Sequence, residues 1–268
     1  MRFVLNDDQV ALRDGIRALC VGKFPMARVR EGFDAAVWKE LADAGVFSLP
    51  DLRFGLAEEA VVVEELGRAL VPGPLVWGVL AHSADEVVTG ASAGLVAHAK
   101  MADRLLGDPD DLAPVANPID PLTPVHTTGA AAITDYQRPG AILTAAYMVG
   151  MAAACTDAAV AYAKEREQFD TPIGRFQSIK HLLADSFVRA ELARAAVHAA
   201  AVDPTDRSAS AAKILAGDAA VANAKTSFQV HGGMGFTWEV DVHLYLKRAW
   251  ILDRQFGTTD EHADALSA

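Results

Sequence analysis

Four long helical segments with short breaks between them make up the C-terminal half of the chain, and they restrict the fold more than any other feature. The segments run from about Pro139 to Arg166, Phe176 to Val202, Ser208 to Gln229 and Val240 to Phe256. Glycine or proline stands in every break, as expected where helices end. Pro139 suits the first turn of its helix, where a missing N–H loses no bond. Long helices with short joins pack antiparallel, so the sequence predicts a four-helix bundle over residues 135–268.

The rest of the chain divides into a helical region and a region of short strands. Residues 1–74 are predicted to be helical, because apolar residues recur at helical spacing in three places. Residues 75–134 contain short apolar runs separated by glycine and proline, a pattern typical of strands and turns; the runs are Leu75–Leu80, Leu95–Ala99 and Leu112–Ala116. A closed barrel needs about eight strands of five or six residues. We therefore expect a small open sheet, a reduced β region inside a mainly α protein.

Composition and charge argue against several classes of protein. The formal net charge of -11 disfavours nucleic acid and anionic membrane surfaces as partners. Cys20 and Cys155 are too far apart in sequence for a disulfide framework or a zinc pattern, and the eight histidines lack ligand spacing, so we expect no metal. The longest apolar run, Gly140–Cys155, is shorter than the roughly 20 residues that span a bilayer. With no apolar signal segment at the start, a cytoplasmic protein is expected.

Two segments at helix ends contain residue types suited to binding a phosphate-bearing ligand. Each also has a plain structural explanation: Arg166 could complement its helix dipole, and the glycine pair could end a helix. Neither a Gly-x-Gly-x-x-Gly nucleotide loop nor a Gly-x-Ser-x-Gly elbow is present. The candidate binding residues in the two segments are Arg166, Phe169, Phe176 and Gln177, and Gln229, Gly232 and Gly233.

Taken together, the two segments resemble the C-terminal signature of acyl-CoA dehydrogenases. The signature is Arg-x-x-Phe, Pro-Ile-Gly and Phe-Gln over residues 166–177, followed about 50 residues later by Gln229 and Gly-Gly-x-Gly. Near the N-terminus, Trp38-Lys-Glu-Leu-Ala and the stretch from Glu64 to Pro74 resemble two helices of the same family. In the middle region, Asp120-Pro-Leu-Thr-Pro resembles a turn late in the family's β domain.

The resemblance implies an FAD enzyme with an N-terminal helical domain, a middle β domain and a C-terminal bundle. Such enzymes desaturate an acyl-CoA thioester, with a carboxylate taking the α proton and the flavin taking a hydride. Two subunits share each flavin. The resemblance implies that Arg166 contacts the pyrophosphate of a neighbour's FAD, and that Phe169, Phe176 and Gln177 line its outer part. Gln229, Gly232 and Gly233 would lie on the adenosine side, where a Cβ would collide.

The residues that would serve this chain's own flavin depart from the family pattern. The flavin-binding strands of the β domain are missing, and Phe256 occupies the usual position of the catalytic glutamate. An alternative position for the base, about 26 residues before the motif arginine, is Gly140. A polar amide that touches the flavin is replaced by Asp260, whose charge is unfavourable beside an anionic cofactor.

These departures predict the small, non-catalytic subunit of a heteromeric acyl-CoA dehydrogenase, with no catalytic residue of its own. By family analogy, its partner is a full-length homologue in an α2β2 assembly, and the substrate is a bulky acyl-CoA bound mainly by the partner, often steroid-derived. Two alternatives stay open. One is a stand-alone homo-oligomeric enzyme with a relocated base, for which Asp253, about one helical turn before Phe256, is the candidate. The other is a flavin-free scaffold protein of the same fold.

Overall fold

The computed structural model describes residues 5–109 and 111–267 and places five helices before the strand region. They are α1 Asp7–Lys23, α2 Met26–Val29, α3 Ala35–Asp43, α4 Leu56–Arg68 and α5 Leu75–Ala81. The three predicted N-terminal helices are confirmed as α1, α3 and α4. Asn6 caps α1, since its side chain accepts the Gln9 N–H at 2.8 Å. Asp34 caps α3 in the same way through the Val37 N–H.

The strand predicted from Leu75 to Leu80 is wrong, because this run forms α5. Every residue of the run is buried, so its apolar character continues on all sides. A short apolar run of this kind gives no periodicity that separates a buried strand from a buried helix. Pro74 immediately precedes the helix and does not interrupt it.

The middle region contains five short strands in two small sheets, in agreement with the predicted remnant. Strand β1 (Val88–Gly90) pairs in parallel with β3 (Arg104–Leu106). Strand β5 (Val125–Thr127) is central to an antiparallel sheet between β2 (Leu95–Ala97) and β4 (Ala113–Pro114). Strands of two or three residues cannot build a covered cradle.

A buried ion pair fastens the middle region to the helices. The Asp120 carboxylate accepts from the Arg248 guanidinium, from the Thr123 hydroxyl at 2.6 Å and from the Leu122 N–H at 3.0 Å. Arg248 also donates to the Tyr147 hydroxyl at 3.0 Å. Burial alone would raise the pKa of Asp120, but the charge and hydrogen bonds of Arg248 bring it below its usual value. The Asp-Pro-Leu-Thr-Pro segment is therefore an anchor.

The bundle consists of four long helices, as predicted, and a short fifth helix follows them. They are α6 Thr134–Glu165, α7 Gln177–Val202, α8 Asp206–His231, α9 Val242–Asp253 and α10 Thr259–Ser267. α6 is long and apolar enough to cross a membrane, but 78% of its most apolar window is buried, which identifies it as the central helix of the bundle. One hydrophobic core extends from Ile16 in α1 to Phe256 after α9.

Pro139 does not lie in the first turn of α6, so that prediction is wrong. The helix begins at Thr134, which places Pro139 one turn further in. Its ring leaves the Asp135 carbonyl without an N–H donor. Asp135 is exposed, so solvent can bond this carbonyl, and the proline is tolerated.

Candidate functional site

The fold brings the two motif segments to the same end of the bundle. Arg166 directly follows α6, and Gly232 directly follows α8. The Tyr162 ring of α6 stacks on His231 of α8, with ring centroids 4.3 Å apart. A small core of Ala159, Ala163 and Val230 joins the two helix ends beneath the surface. Residues some 60 positions apart in sequence thus flank one surface.

A tight hairpin follows Arg166 and presents Phe169 to solvent. Strands β6 (Glu167–Gln168) and β7 (Thr171–Pro172) are joined by Phe169 and Asp170, both with positive φ, 54° and 58°. Two such residues form a mirror-image turn that glycine and asparagine normally occupy, so Phe169 is strained. Its side chain is 88% exposed and meets Phe176 edge to face, with centroids 6.3 Å apart. Strain held at an exposed aromatic indicates a binding role.

The Arg166 guanidinium is available to an anionic ligand. Arg166 is exposed, and its backbone closes the hairpin, with its carbonyl accepting the Ile173 N–H at 2.8 Å. Within residues 5–109 and 111–267, no carboxylate lies within ion-pair distance of it. A planar, permanently charged donor group of this kind can form two parallel hydrogen bonds to a phosphate.

The end of α8 has an open backbone surface. Gly232 has φ +61° and ψ −138°, a conformation that L side chains do not adopt readily. A Cβ built on Gly232 or Gly233 meets no described atom within 4 Å, so the space above both residues is free for a ligand. Phe236 is 81% exposed, and Lys247 lies over the Trp238 ring, 4.4 Å from its centroid. Sequence reasoning missed Phe236 and Trp238, although two aromatics so close to a glycine-rich turn were a usable signal.

Phe256 and Gly140 meet at the opposite end of α6. Gly140 lies about 39 Å from Arg166 along the helix axis, at 1.5 Å per residue. A Cβ on Gly140 would lie 2.3 Å from Cε1 of Phe256, so the two possible base positions are in direct contact. Phe256 is 1% exposed, and its ring lies 4.7 Å from that of Trp77. Neither position offers a carboxylate.

Between the small sheets and the bundle, the space beside Trp77 is too small for a flavin ring, whereas a separate open pocket of about 870 Å³ is lined by Ala93, Pro139 and Gly257 among others. Two cavities in this layer, lined by Trp77, Ala97 and Gln255 among others, hold about 20 and 10 Å³. The smaller one is at the limit for a single water molecule. The space beside Phe256 and Trp77 therefore does not fit the flavin ring, whereas the exposed guanidinium and open backbone at the Arg166 end are suited to an anionic ligand.

The acidic residues near Phe256 have structural roles. The Asp253 carboxylate accepts the Thr259 N–H at 3.1 Å and the Thr259 hydroxyl at 2.6 Å, which ties the first residue of α10 to the end of α9. Asp260 lies exposed in the first turn of α10, where a negative charge complements the helix dipole. The Asp253 carboxylate is thereby committed to a structural contact with α10.

The turn that carries Phe256 is held by groups that the sequence gave no reason to select. Lys213, fully buried in α8, donates to the carbonyls of Asp253, Gln255 and Gly257 at 3.0, 2.9 and 2.7 Å. Burial lowers the pKa of the Lys213 ammonium to about 8. His262 donates from Nε2 to the Phe256 carbonyl at 2.9 Å. This bond leaves Nδ1 to accept the Ser210 hydroxyl, also at 2.9 Å.

Comparison with known proteins identifies the family. The model for the acyl-CoA dehydrogenase C-terminal domain matches residues 128–268, and one relative is 32% identical over 98% of this chain. The chain belongs to the acyl-CoA dehydrogenase family of FAD-dependent CH–CH oxidoreductases.

Among its relatives is the acyl-CoA dehydrogenase IpdE2 of Mycolicibacterium smegmatis, 32% identical over 98% of this chain and 99% of that protein. The fold matches a chain of the ChsE4–ChsE5 complex from Mycobacterium tuberculosis, with TM-score 0.84, 21% identity, and coverage of 100% and 98% of the two chains. It also matches the Tcur3481–Tcur3483 steroid ACAD, with TM-score 0.81, 20% identity, and coverage of 97% of each chain.

Proposed function

We propose that this chain is the non-catalytic subunit of a heteromeric acyl-CoA dehydrogenase. It supplies contacts to the pyrophosphate and adenosine of an FAD that a partner subunit binds. The partner, a full-length homologue, supplies the catalytic base and the cradle for the flavin ring. When bound, the FAD accepts the hydride that leaves the acyl chain of the substrate.

One observation carries the proposal: the two ends of α6 have opposite characters. At the C-terminal end, Arg166 is exposed and unpaired with any described carboxylate, and the backbone at Gly232 is open. At the N-terminal end, Phe256 and Gly140 are in contact, and the two cavities beside Trp77 are smaller than a flavin ring. The ends are about 39 Å apart, farther than one dinucleotide extends, so the intact end faces a cofactor bound elsewhere.

Each residue at the Arg166 end has a role that follows from its chemistry. Arg166 would hold the pyrophosphate through two parallel hydrogen bonds, and its charge would offset that of the phosphates. Gly232 and Gly233 would let the backbone approach the adenosine closely. Phe169 and Phe176 would cover apolar cofactor surface that water otherwise contacts. Gln177 and Gln229 would add amide hydrogen bonds.

Exposed apolar side chains on α7 support a partner subunit. Phe187, Val188 and Leu192 are 59%, 52% and 58% exposed along one stretch of this helix. Exposed groups of large apolar residues are characteristic of protein interfaces. The fold also resembles chains from two-component assemblies, the ChsE4–ChsE5 complex and the Tcur3481–Tcur3483 steroid ACAD. We propose an α2β2 assembly with one FAD for each partner chain.

The proposed substrate is a bulky acyl-CoA thioester, with a steroid-derived acyl group as the leading class. The support is the resemblance to a steroid ACAD in fold. A subunit that contributes no substrate site of its own leaves space for a large acyl group at the partner's site. Such a subunit acts on the substrate only through the flavin it helps to hold.

The test is the flavin content of the complex isolated with its natural partner. We expect one FAD per pair of different chains, and acyl-CoA oxidation that requires both chains. A flavin-containing homo-oligomer with turnover would favour the stand-alone enzyme, and Asp253→Asn would then abolish its activity. A complex with the natural partner that contains no FAD would favour the scaffold protein.

A further inference from the structure

Phe256 is held in a conformation that a phenylalanine seldom adopts. Its φ is +55°, in the left-handed region, although the residue is buried and bulky. Its N–H donates to the Ser92 hydroxyl oxygen at 2.6 Å, and its carbonyl accepts from His262 at 2.9 Å. A strained residue persists only where its surroundings over-determine it, and such residues are concentrated at functional positions.

Three separate parts of the chain fix this one turn. Ser92 comes from the middle region, Lys213 from α8 and His262 from α10. Lys213 gives three hydrogen bonds to the carbonyls on either side of Phe256, although burying an ammonium is costly. Lys213 therefore fixes the turn, and with it the position of the Phe256 ring.

That place is the narrow layer between the small sheets and the bundle. The ring lies over Gly140, where even a methyl group would be 2.3 Å from it, and beside Trp77. Because Gly140 lies in the interior of α6, glycine there costs helix stability relative to alanine. Glycine at position 140 thus leaves the space that the Phe256 ring occupies.

We infer that the Phe256 side chain is a fixed plug: it fills the space over Gly140 and excludes the acyl chain of a thioester from this chain's own cleft. The inference rests on the proposed function, since it explains how a non-catalytic subunit avoids binding substrate where it cannot react. Ser92, Lys213 and His262 are positioning residues of the plug. It follows that a heteromer carries its acyl-CoA sites on the partner alone.

The first experiment measures the energetic coupling of the pair in the full chain. In the wild-type background, Gly140→Ala should raise the unfolding equilibrium constant roughly 5- to 150-fold, the range for an overpacked core. In the Phe256→Ala background, Gly140→Ala should instead lower the unfolding equilibrium constant, because alanine favours the helix and no longer collides with the ring. Gly15→Ala, in α1 and with nothing within 4 Å of its new Cβ, is the matched control and should behave alike in both backgrounds. Equal effects of Gly140→Ala in the two backgrounds would overturn the inference.

The second experiment asks what the plug excludes. Benzene should raise the melting temperature of Phe256→Ala and leave the wild type unchanged, because only the variant has an apolar cavity. Phe256→Leu replaces the alanine variant if the latter does not fold. Octanoyl-CoA should show no saturable binding to the wild-type chain, and saturable binding would overturn the inference. None of these measurements involves flavin or the partner. A negative result here therefore contradicts only the plug, and a flavin content that differs from our expectation contradicts only the proposed function.

Discussion

Phe256→Glu returns the family's catalytic residue to its usual position, and we expect it to destabilise the chain without creating an enzyme. Phe256 is 1% exposed, so the substitution loses the burial of a large apolar side chain, about 1.5–3 kcal/mol. A neutral carboxyl group without partners in the same space costs about 1–3 kcal/mol more. The expected loss is therefore about 3–6 kcal/mol, a large share of the 5–15 kcal/mol by which domains are typically stable.

The loss should grow with pH, because burial beside Trp77 raises the pKa of the introduced carboxyl group. The unfolded chain releases this proton near pH 4.3 and the folded chain only at higher pH. Folding then binds a proton between the two values, and stability falls as pH rises, by about 1.36 kcal/mol per pH unit. Phe256→Gln, of similar shape but unable to ionise, should lack this slope.

The assay is guanidinium unfolding of the wild type, Phe256→Glu and Phe256→Gln at pH 5 and pH 8, with acyl-CoA oxidation measured on each. The glutamate variant should be less stable than the glutamine variant at pH 8, and the two should converge at pH 5. Equal stability of the two variants at both pH values would show that the site is not apolar and closed. Acyl-CoA oxidation by Phe256→Glu alone would show that only the base was missing, contrary to our account.

Three further predictions concern the isolated chain. It should purify without a flavin spectrum, since the flavin-binding strands are missing and the cavities beside Trp77 are too small for the ring; near-stoichiometric FAD in the lone chain would contradict this. Asp120→Ala should cost about 3–5 kcal/mol by leaving Arg248 buried and unpaired, and unfolding curves of Asp120→Ala and Asp120→Ala/Arg248→Met should show partial recovery in the double variant. Burial and then the charge of Arg248 lower the pKa of His98 to about 3, so up to about 5 kcal/mol of stability should be lost as pH falls from 6.5 to 3. Asparagine tolerates the φ of +57° at this position, so His98→Asn should lose less stability between pH 6.5 and 3 in unfolding experiments.

The long helices and the grouping of the motif segments could be predicted because they have local signals. Helical spacing and glycine breaks locate α6 to α9 within a few residues. Two helices that end in motif residues and run in the same direction through a bundle place those residues at one end. The proximity of Arg166 and Gly232 is thus a consequence of helix length and topology.

The plug and its supports could not be predicted, since they depend on contacts between distant parts of the chain. Lys213 binds three carbonyls 40 or more residues away, and no spacing rule selects a lysine for that task. Gly140 and Phe256 were each identified as lacking a carboxylate, but only the structure shows that they touch. α5 was mistaken for a strand because burial on all sides removes periodicity.

The most direct test of the account is the flavin affinity of the complex when Arg166 is changed. A charge-assisted hydrogen bond to phosphate contributes about 1.5–3 kcal/mol, so Arg166→Ala should raise the Kd for FAD about 10- to 100-fold at 1.4 kcal/mol per decade. Arg166→Lys should recover part of the affinity, because it keeps the charge without the paired donors.

Arg207→Ala is the matched control, since it removes an exposed arginine from the first turn of α8, at the other end of the bundle. The measurement is titration of the apo complex with FAD, beside thermal unfolding of each variant. We expect weaker flavin binding for Arg166→Ala alone, with folding stability near that of the wild type. Unchanged flavin affinity in an intact Arg166→Ala complex, or an equal loss in Arg207→Ala, would contradict the assignment of this surface to the partner's FAD.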